Sequence, residues 1–225
     1  MKLYKFRSFE NIENMLDIIM NERLYCAPHK DLNDPFEGLF STIKWGGSGT
    51  FGSVFGSTFG SVFGSPFGSS KKIIYRSLKE LPAFDEKVRV CSLSSEMSDI
   101  RMWSHYAAGH TGLVVEIEIE ENPELYKVNY SEGIQKFTEK ITENTKAYEL
   151  LSFKTNHWAP EQEYRIITDN DFFSISGKIT NIYVGIRTKE IHASLIRHCV
   201  SSEIPIYDTK INNKLVKIVP NKRIN

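Results

Sequence analysis

Trp158-Ala159-Pro160-Glu161-Gln162-Glu163-Tyr164-Arg165-Ile166-Ile167 is the stretch on which both fold and chemistry turn. Pro160 favours an extended entry, and Tyr164–Thr168 continues as a strand rich in β-branched and aromatic residues. If the extension holds, Glu161, Glu163 and Arg165 share one strand face. Consecutive carboxylates then sit about 7 Å apart along the backbone. Two acids facing a site can divide labour, one stabilising a developing cation and the other orienting a nucleophile. A solvated polar face on an edge strand is the plain alternative. Trp158 beside this face, and the apolar Ile166-Ile167 after it, favour a site.

Working outward, short strands and helices alternate. Lys2–Arg7 has strand periodicity, with Leu3, Lys5 and Arg7 on one face and Tyr4 and Phe6 on the other. Ser8 stands as an N-cap before Ile12, Met15, Leu16 and Ile19 at helical spacing. Strands are expected at Arg23–Pro28, Val88–Leu93, Leu113–Ile119, Leu125–Tyr130, Ile179–Ile186, Ile204–Tyr207 and Leu215–Val219. Helices are expected at Lys72–Leu81, Asp99–Ala108, Ile134–Leu151 and Lys189–Val200. Few strand–helix–strand units have doubly wound spacing. The expected class is therefore α+β, a single domain over 1–225 whose mixed, mostly antiparallel central sheet is flanked by helices. There is no GxGxxG fingerprint, P-loop or HExxH.

One tract stands apart. Eight of the fourteen glycines and five of the fourteen phenylalanines fall within residues 45–70, in the register Phe-Gly-Ser-x, and no charge interrupts them. Gly and Ser at this density do not hold a helix, and Pro66 argues against a central strand. The tract is expected as a flexible low-complexity insertion in a surface loop, which chain entropy tolerates cheaply. The remaining nine phenylalanines are left to build the core.

Charge is balanced, with 28 Lys+Arg against 28 Asp+Glu, which argues against a protein that grips polyanions by net charge alone. A balanced sum leaves the distribution open. Cys26, Cys91 and Cys199 are dispersed and odd in number, without CxxC spacing, which disfavours a disulfide framework or structural zinc. No stretch approaches the roughly 18 apolar residues of a membrane span, and Met1–Glu13 lacks the apolar core of a secretion signal. A cytoplasmic protein without a membrane partner is expected.

Three further clusters carry chemistry. Lys5 and Arg7 project together from the opening strand, and an arginine fork matches a phosphate or pyrophosphate; an exposed edge face explains them equally. Cys91-Ser92-Leu93-Ser94-Ser95 ends an apolar strand in hydroxyls that either orient a ligand or cap the next helix. Met102-Trp103-Ser104-His105-Tyr106-Ala107 offers His105 as a proton shuttle and Trp103 or Tyr106 for stacking on a flat ring. A satisfied structural histidine is the commoner case.

Taken in order, Leu3-Tyr4-Lys5-Phe6-Arg7-Ser8, Leu24-Tyr25 through Asn33-Asp34-Pro35-Phe36-Glu37, Met102-Trp103-Ser104-His105-Tyr106 with Gly112, and Glu161-x-Glu163-Tyr164-Arg165-Ile166 resemble a bacterial family. That family is catalogued as domain of unknown function 2971. The resemblance spans nearly the whole chain except about residues 44–70. More remotely, Arg7, Ser92-Leu93-Ser94 and Glu161-Gln162-Glu163 are similar to the arginine–serine–glutamate layout of ADP-ribosyltransferases. The opening strand and helix followed by Leu24-Tyr25, and Glu163-Tyr164-Arg165-Ile166 followed by Ile179-Thr180-Asn181-Ile182-Tyr183-Val184, are similar to the DNA-modifying toxin branch of that superfamily.

This resemblance implies NAD as the nucleotide substrate, with nucleic acid or protein as acceptor. It places Glu163 against the ribose 2′-hydroxyl and Glu161 on the acceptor. Arg7 falls on the pyrophosphate, Ser92 and Ser94 on the nicotinamide ribose, and Trp103, His105 and Tyr106 around the ring. A phage-defence or toxin effector with an antitoxin or defence-system partner is the implied setting. Two alternatives stand beside it. One is a metal-dependent hydrolase or nuclease using Asp34, Glu37, Glu161 and Glu163. The other is a non-catalytic binding module of a defence locus.

Overall fold

The computed structural model describes residues 1–45, 71–81, 86–138 and 147–225. From residue 46 to 70 the Phe-Gly-Ser-x tract lies outside these described residues. The first half of the chain supplies β1 (Lys2–Arg7), α1 (Ile12–Met20), β2 (Arg23–Tyr25), β3 (Ala27–Pro28), β4 (Leu39–Trp45) and β5 (Lys71–Ser77). Next come β6 (Arg89–Ser94), α2 (Ile100–Tyr106), β7 (Leu113–Glu118), β8 (Leu125–Lys127), β9 (Asn129–Ser131) and β10 (Gln135–Thr138). The remainder forms α3 (Ala147–Leu151), β11 (Phe153–Thr155), β12 (Glu163–Thr168), β13 (Phe172–Ser174), β14 (Ile179–Val184), α4 (Glu190–Cys199), β15 (Ile206–Asn212) and β16 (Lys217–Arg223).

A large, mostly antiparallel sheet dominates, in the order β16-β15-β14-β7-β1-β6-β12-β8, with β3 also paired to β6. Its one parallel neighbour pair, β14 with β15, is joined through α4, the kind of crossover that parallel strands require. The apolar positions of α1 and α4, among them Met15, Ile18, Ile19 and Ile196, cover one face against Leu3, Val115, Ile117 and Ile182. On the opposite face α2 lays Met102 and Trp103 over Phe6, Val114 and Tyr183. Both faces of the central strands are thus buried, and β7 accordingly reads as a near-continuous apolar run.

The register of β6 decides where the site lies. β12 takes one edge of β6 in full, six consecutive pairs from Glu163 opposite Ser94 to Thr168 opposite Arg89. Two strands share the other edge. β1 meets it at a single registered pair, Tyr4 opposite Ser94, while β3 pairs with Val90 and Arg89 at the far end. Between those contacts the sheet is split along Cys91–Leu93. Instead of a ladder amide, the Lys5 ammonium reaches across and donates to the Ser92 carbonyl at 2.7 Å. Unpaired backbone acceptors need partners, and here a side chain supplies one.

Two expected helices are strands. Lys71–Ser77 pairs antiparallel with β4 over seven residues, leaving only a 3₁₀ turn at Leu78–Glu80 that Ser77 and Glu80 close as a capping box. Gln135–Thr138 pairs parallel with β4, so the segment Ile134–Leu151, expected as one helix, begins as a strand, and among its described residues helix is found at Ala147–Leu151. Residues 139–146 fall outside the described part. In both cases pairing to β4 overrides local periodicity. This small sheet packs Phe40, Leu78, Val90, Leu150, Leu151 and Ile167 into a second cluster, which fixes α3 and the strand after it.

Three backbone segments converge beside β1 without room for a side chain. A Cβ on Gly112 would stand 2.1 Å from the Arg7 carbonyl oxygen, and one on Gly185 2.3 Å from that of His110. The Gly185 amide donates to the Gly112 carbonyl at 2.9 Å. Gly112→Ala is therefore expected to cost at least the ~1–3 kcal/mol typical of overpacking. A lower urea midpoint would show this; a wild-type midpoint would disprove the backbone contact.

Candidate functional site

The split beside β6 opens into a cavity of about 650 Å³, within the usual range for small-molecule sites. Lys5 and Arg7 of β1 line it, as do Ser92 and Ser94 of β6 and His105 and Tyr106 of α2. Lys154 of β11, Glu161 and Glu163 complete the opposite side, and Asn11, Asn14, Tyr25 and Asn33 stand around the rest.

One wall is anionic and held rigidly. Arg165 is 0% exposed and donates through Nε to Glu163 Oε1 at 2.7 Å, and through one terminal nitrogen to Glu163 Oε2 at 3.0 Å and Glu37 Oε1 at 2.8 Å. Its other terminal nitrogen donates to the Leu151 carbonyl at 2.6 Å. The Lys154 ammonium stands 2.7 Å from Glu161 Oε2, 3.2 Å from Glu163 Oε2 and 3.4 Å from Glu37 Oε1. Its position over the Trp158 ring, 4.8 Å from the centroid, adds a cation–π contact. The Glu163 amide donates to the Tyr130 hydroxyl at 2.8 Å. Three carboxylates and two cations leave this wall one negative charge in excess.

Burial opposes the charge on Glu163, but Arg165 and Lys154, helped by the Ser92 hydroxyl, overcome it and hold the carboxyl at about 2. Burial likewise works against Lys154, and Glu163, Glu161 and Glu37 reverse it, so this lysine stays firmly protonated. Glu37 differs: burial dominates and raises its pKa despite both cations. Burial and the adjacent Glu161 carboxylate push the Tyr106 hydroxyl up, keeping it a proton donor. That hydroxyl donates to Glu161 Oε1 and accepts from Asn33 Nδ2 at 2.9 Å.

The facing wall is cationic. Burial lowers the pKa of Lys5 and disfavours the charge on Arg7, whose Nε is buried without a hydrogen-bond partner among the described residues. Such an orphaned guanidinium donor calls for an explanation, and an acceptor group in the cavity would satisfy it.

The structure brings Arg7, Ser92, His105, Tyr106, Glu161 and Glu163 to one cavity, and corrects three expectations. Trp103 does not face it: the ring is fully buried, donates through Nε1 to the Met97 carbonyl at 2.7 Å and packs edge-on against Phe6, so it is core. Ser94 lines the cavity, but its hydroxyl sits 2.6 Å from the Glu161 carbonyl and 3.0 Å from that of Glu96, which makes it a clamp on Glu161 rather than a free ribose contact. Glu161 is not on the strand. It closes a 3₁₀ turn over Asn156–Glu161, and Gln162 turns left-handed at φ 45° before β12 begins at Glu163. The two carboxylates meet through Lys154, not through strand alternation. His105 is exposed, at the rim.

Lys154 and Tyr130 escaped the sequence reading, and Glu37 entered it only as a candidate metal ligand, not as the ion-pair partner of Lys154 and Arg165. Tyr130 lies on the short strand β9, opposite Lys154, and no local pattern marks it. Lys154 had one signal: a lone cation within Leu150-Leu151-Ser152-Phe153-Lys154, an apolar setting where a charge needs counter-ions. Asp34 makes no ion pair with this group of charges among the described residues; it accepts from the Phe36 amide at 2.9 Å in a local turn. The point where Glu37, Glu161 and Glu163 converge is filled by the Lys154 ammonium, and no group of three or more His, Cys, Asp or Glu placed for a metal ion occurs among the described residues.

No family model, curated protein or solved structure matches this chain. No helix among the described residues is long and apolar enough to cross a membrane.

Two outcomes follow from the ion network. Removing one partner leaves uncompensated buried charge, so Arg165→Met is expected to destabilise by about 3–5 kcal/mol in urea unfolding. Because Glu163 is held at about 2 against an ordinary 4.5, its ionisation stabilises the fold fully above pH 4.5, a contribution that fades as pH falls towards 2. The melting temperature of the wild type should fall across that window more steeply than that of Glu163→Gln; parallel profiles would contradict the pairing.

Proposed function

We propose that this cavity binds NAD and that the protein transfers ADP-ribose to a nucleophilic acceptor, on an ADP-ribosyltransferase-like scaffold. The observation that carries the proposal is the opposition of charge across one cavity. Lys5 and Arg7 stand on one wall and Glu161 and Glu163 on the other, with the Ser92 side chain on the floor. NAD has the matching polarity: an anionic pyrophosphate, a ribose carrying hydroxyls, and a cationic nicotinamide ring.

In this arrangement Arg7, through its unpartnered Nε, takes the pyrophosphate. Ser92 contacts the nicotinamide ribose, and Tyr106 or His105 flanks the ring. Cleavage breaks the bond from ribose C1′ to nicotinamide nitrogen, and the electron pair leaves with neutral nicotinamide. Positive charge then grows on the ribose. A carboxylate already ionised and immobilised, as Glu163 is, stabilises that charge without reorganising, and this electrostatic contribution is usually the largest in such a step. The acceptor's lone pair forms the new bond to C1′, and its proton passes to Glu161, which Lys154 and Tyr106 keep oriented.

The setting is that of a defence or toxin effector, with nucleic acid or protein as acceptor and an antitoxin or defence-system protein as partner. Labelled NAD incubated with the protein and a mixture of nucleic acid and protein acceptors should transfer its label. Glu163→Gln should abolish transfer, and Arg7→Ala should weaken NAD binding by at least tenfold while keeping the fold. Failure to bind or consume NAD at millimolar concentration would overturn the proposal. Binding without consumption, unaffected by Glu163→Gln, would make this a nucleotide-binding module instead.

A further inference from the structure

Residues 209–225 contain five cations, Lys210, Lys214, Lys217, Lys222 and Arg223, and no Asp or Glu. Since the whole chain is neutral, residues 1–208 carry a net charge of −5. The positive excess forms the β15–β16 hairpin at one end of the large sheet. Antiparallel register sets Lys210 opposite Val219 and Asn212 opposite Lys217, so these four share one face of the ribbon, and Lys214 stands in the turn between the strands. The side chains of Lys210, Lys214 and Lys222 are exposed. Lys217 is half exposed and lies 3.4 Å from Glu96. Asp208, on the same strand, is engaged by Asn221 Nδ2 and the Lys222 amide.

A second, independent feature sits at the tip. Leu215 and Val216 are 63% and 66% exposed, and Val216 is held in the left-handed region at φ 52°. A β-branched residue there is strained, and two apolar side chains in water gain nothing from folding. The turn is nonetheless defined, with Asn212 Oδ1 accepting from the Lys214 and Leu215 amides at 3.1 and 3.2 Å.

We propose that this hairpin is a nucleic-acid docking arm. A two-stranded ribbon fits a nucleic-acid groove. Seven residues of strand span about 20 Å, the length of about six phosphates along one strand of a duplex. Lysines along both strands meet phosphates, and the apolar Leu215-Val216 tip, projecting between Lys214 and Lys217, is the kind of wedge that enters a base step. The arm adjoins the segment that leaves the cavity, since the Ile218 amide donates to the Ser98 carbonyl and Lys217 approaches Glu96, two residues beyond Ser94. A nucleic acid held there would lie next to the cavity. Charged residues also blunt sheet edges against aggregation. That role explains the lysines but not the exposed, strained apolar tip.

The test uses the full chain and fluorescein-labelled 20-nucleotide DNA, single-stranded and duplex, followed by anisotropy across a salt series. Binding at low salt is expected, weakening as salt rises. The combined variant Lys210→Glu, Lys214→Glu, Lys222→Glu should lose at least tenfold in affinity and flatten the salt slope by about one unit per lysine that meets a phosphate. Leu215→Ser with Val216→Gly relieves the backbone strain and should keep or raise the melting temperature while weakening binding severalfold. NAD binding should be unchanged in both variants, which separates this proposal from that for the cavity. Undetectable DNA binding by the wild type overturns it. So does equal affinity in the variants, aggregation of the lysine variant with affinity intact, or binding to phosphatidylserine vesicles but not to DNA.

Discussion

Glu163 is ionised inside the protein because two cations reach it from different parts of the chain. Arg165 grips it from two residues along the same strand, and Lys154 from the short strand β11. A carboxylate, an ammonium and a guanidinium are each costly to bury alone and acceptable together. The requirement spreads outward. Lys154 is in place only because β11 pairs with β9, and the second apolar cluster anchors α3 immediately before it. Arg165 needs the Leu151 carbonyl at the end of that same helix and Glu37 from the loop before β4. One buried ion network thus ties the small sheet to the edge of the large one.

The facing wall rests on a different constraint, the division of a single strand edge. β12 occupies one side of β6 completely, so β1 and β3 must share the other, and neither pairs with Cys91–Leu93. A continuous ladder would have closed the gap and left no cavity. The split turns β1 from a central strand into a cavity wall while leaving its other edge in full register with β7. Rigidity on the β7 side and separation on the β6 side together hold Lys5 and Arg7 in a fixed place.

What the sequence made legible follows the range of the interactions involved. β1, β7, β12, β14 and α4 were readable because each carries a local signal of its own over several residues, whether alternation, a run of β-branched and apolar residues, or helical spacing. The grouping of Arg7 with Ser92, Tyr106, Glu161 and Glu163 came through the resemblance to the arginine–serine–glutamate layout and not through any local pattern; all five line one cavity. β5 and β10 were not readable. Ile73-Ile74-Tyr75 and Gln135–Thr138 become strands through pairing with β4, a contact between segments some 30 to 95 residues apart. Trp103 was misplaced because an aromatic-rich helix end looks alike whether its ring faces a ligand or the core. Only the Met97 carbonyl, supplied by a preceding turn, decides that.

The charge of this chain shows the same dependence on placement. A sum of zero conceals three populations with different physics. In the core, Glu37, Glu161, Glu163, Lys154 and Arg165 nearly cancel, and their value lies in fixed geometry, because water cannot screen or rearrange them. Across the cavity, Lys5 and Arg7 have no carboxylate within ion-pair distance among the described residues, so their charge is left facing the cavity and is not cancelled at contact. On the C-terminal hairpin the cations are solvated and act at range, attenuated over about 8 Å at physiological salt. A ligand in the cavity therefore meets charge fixed in place and less screened by salt than that on the hairpin, where the cations are solvated. Salt dependence is accordingly the property that distinguishes the two surfaces of this one neutral protein.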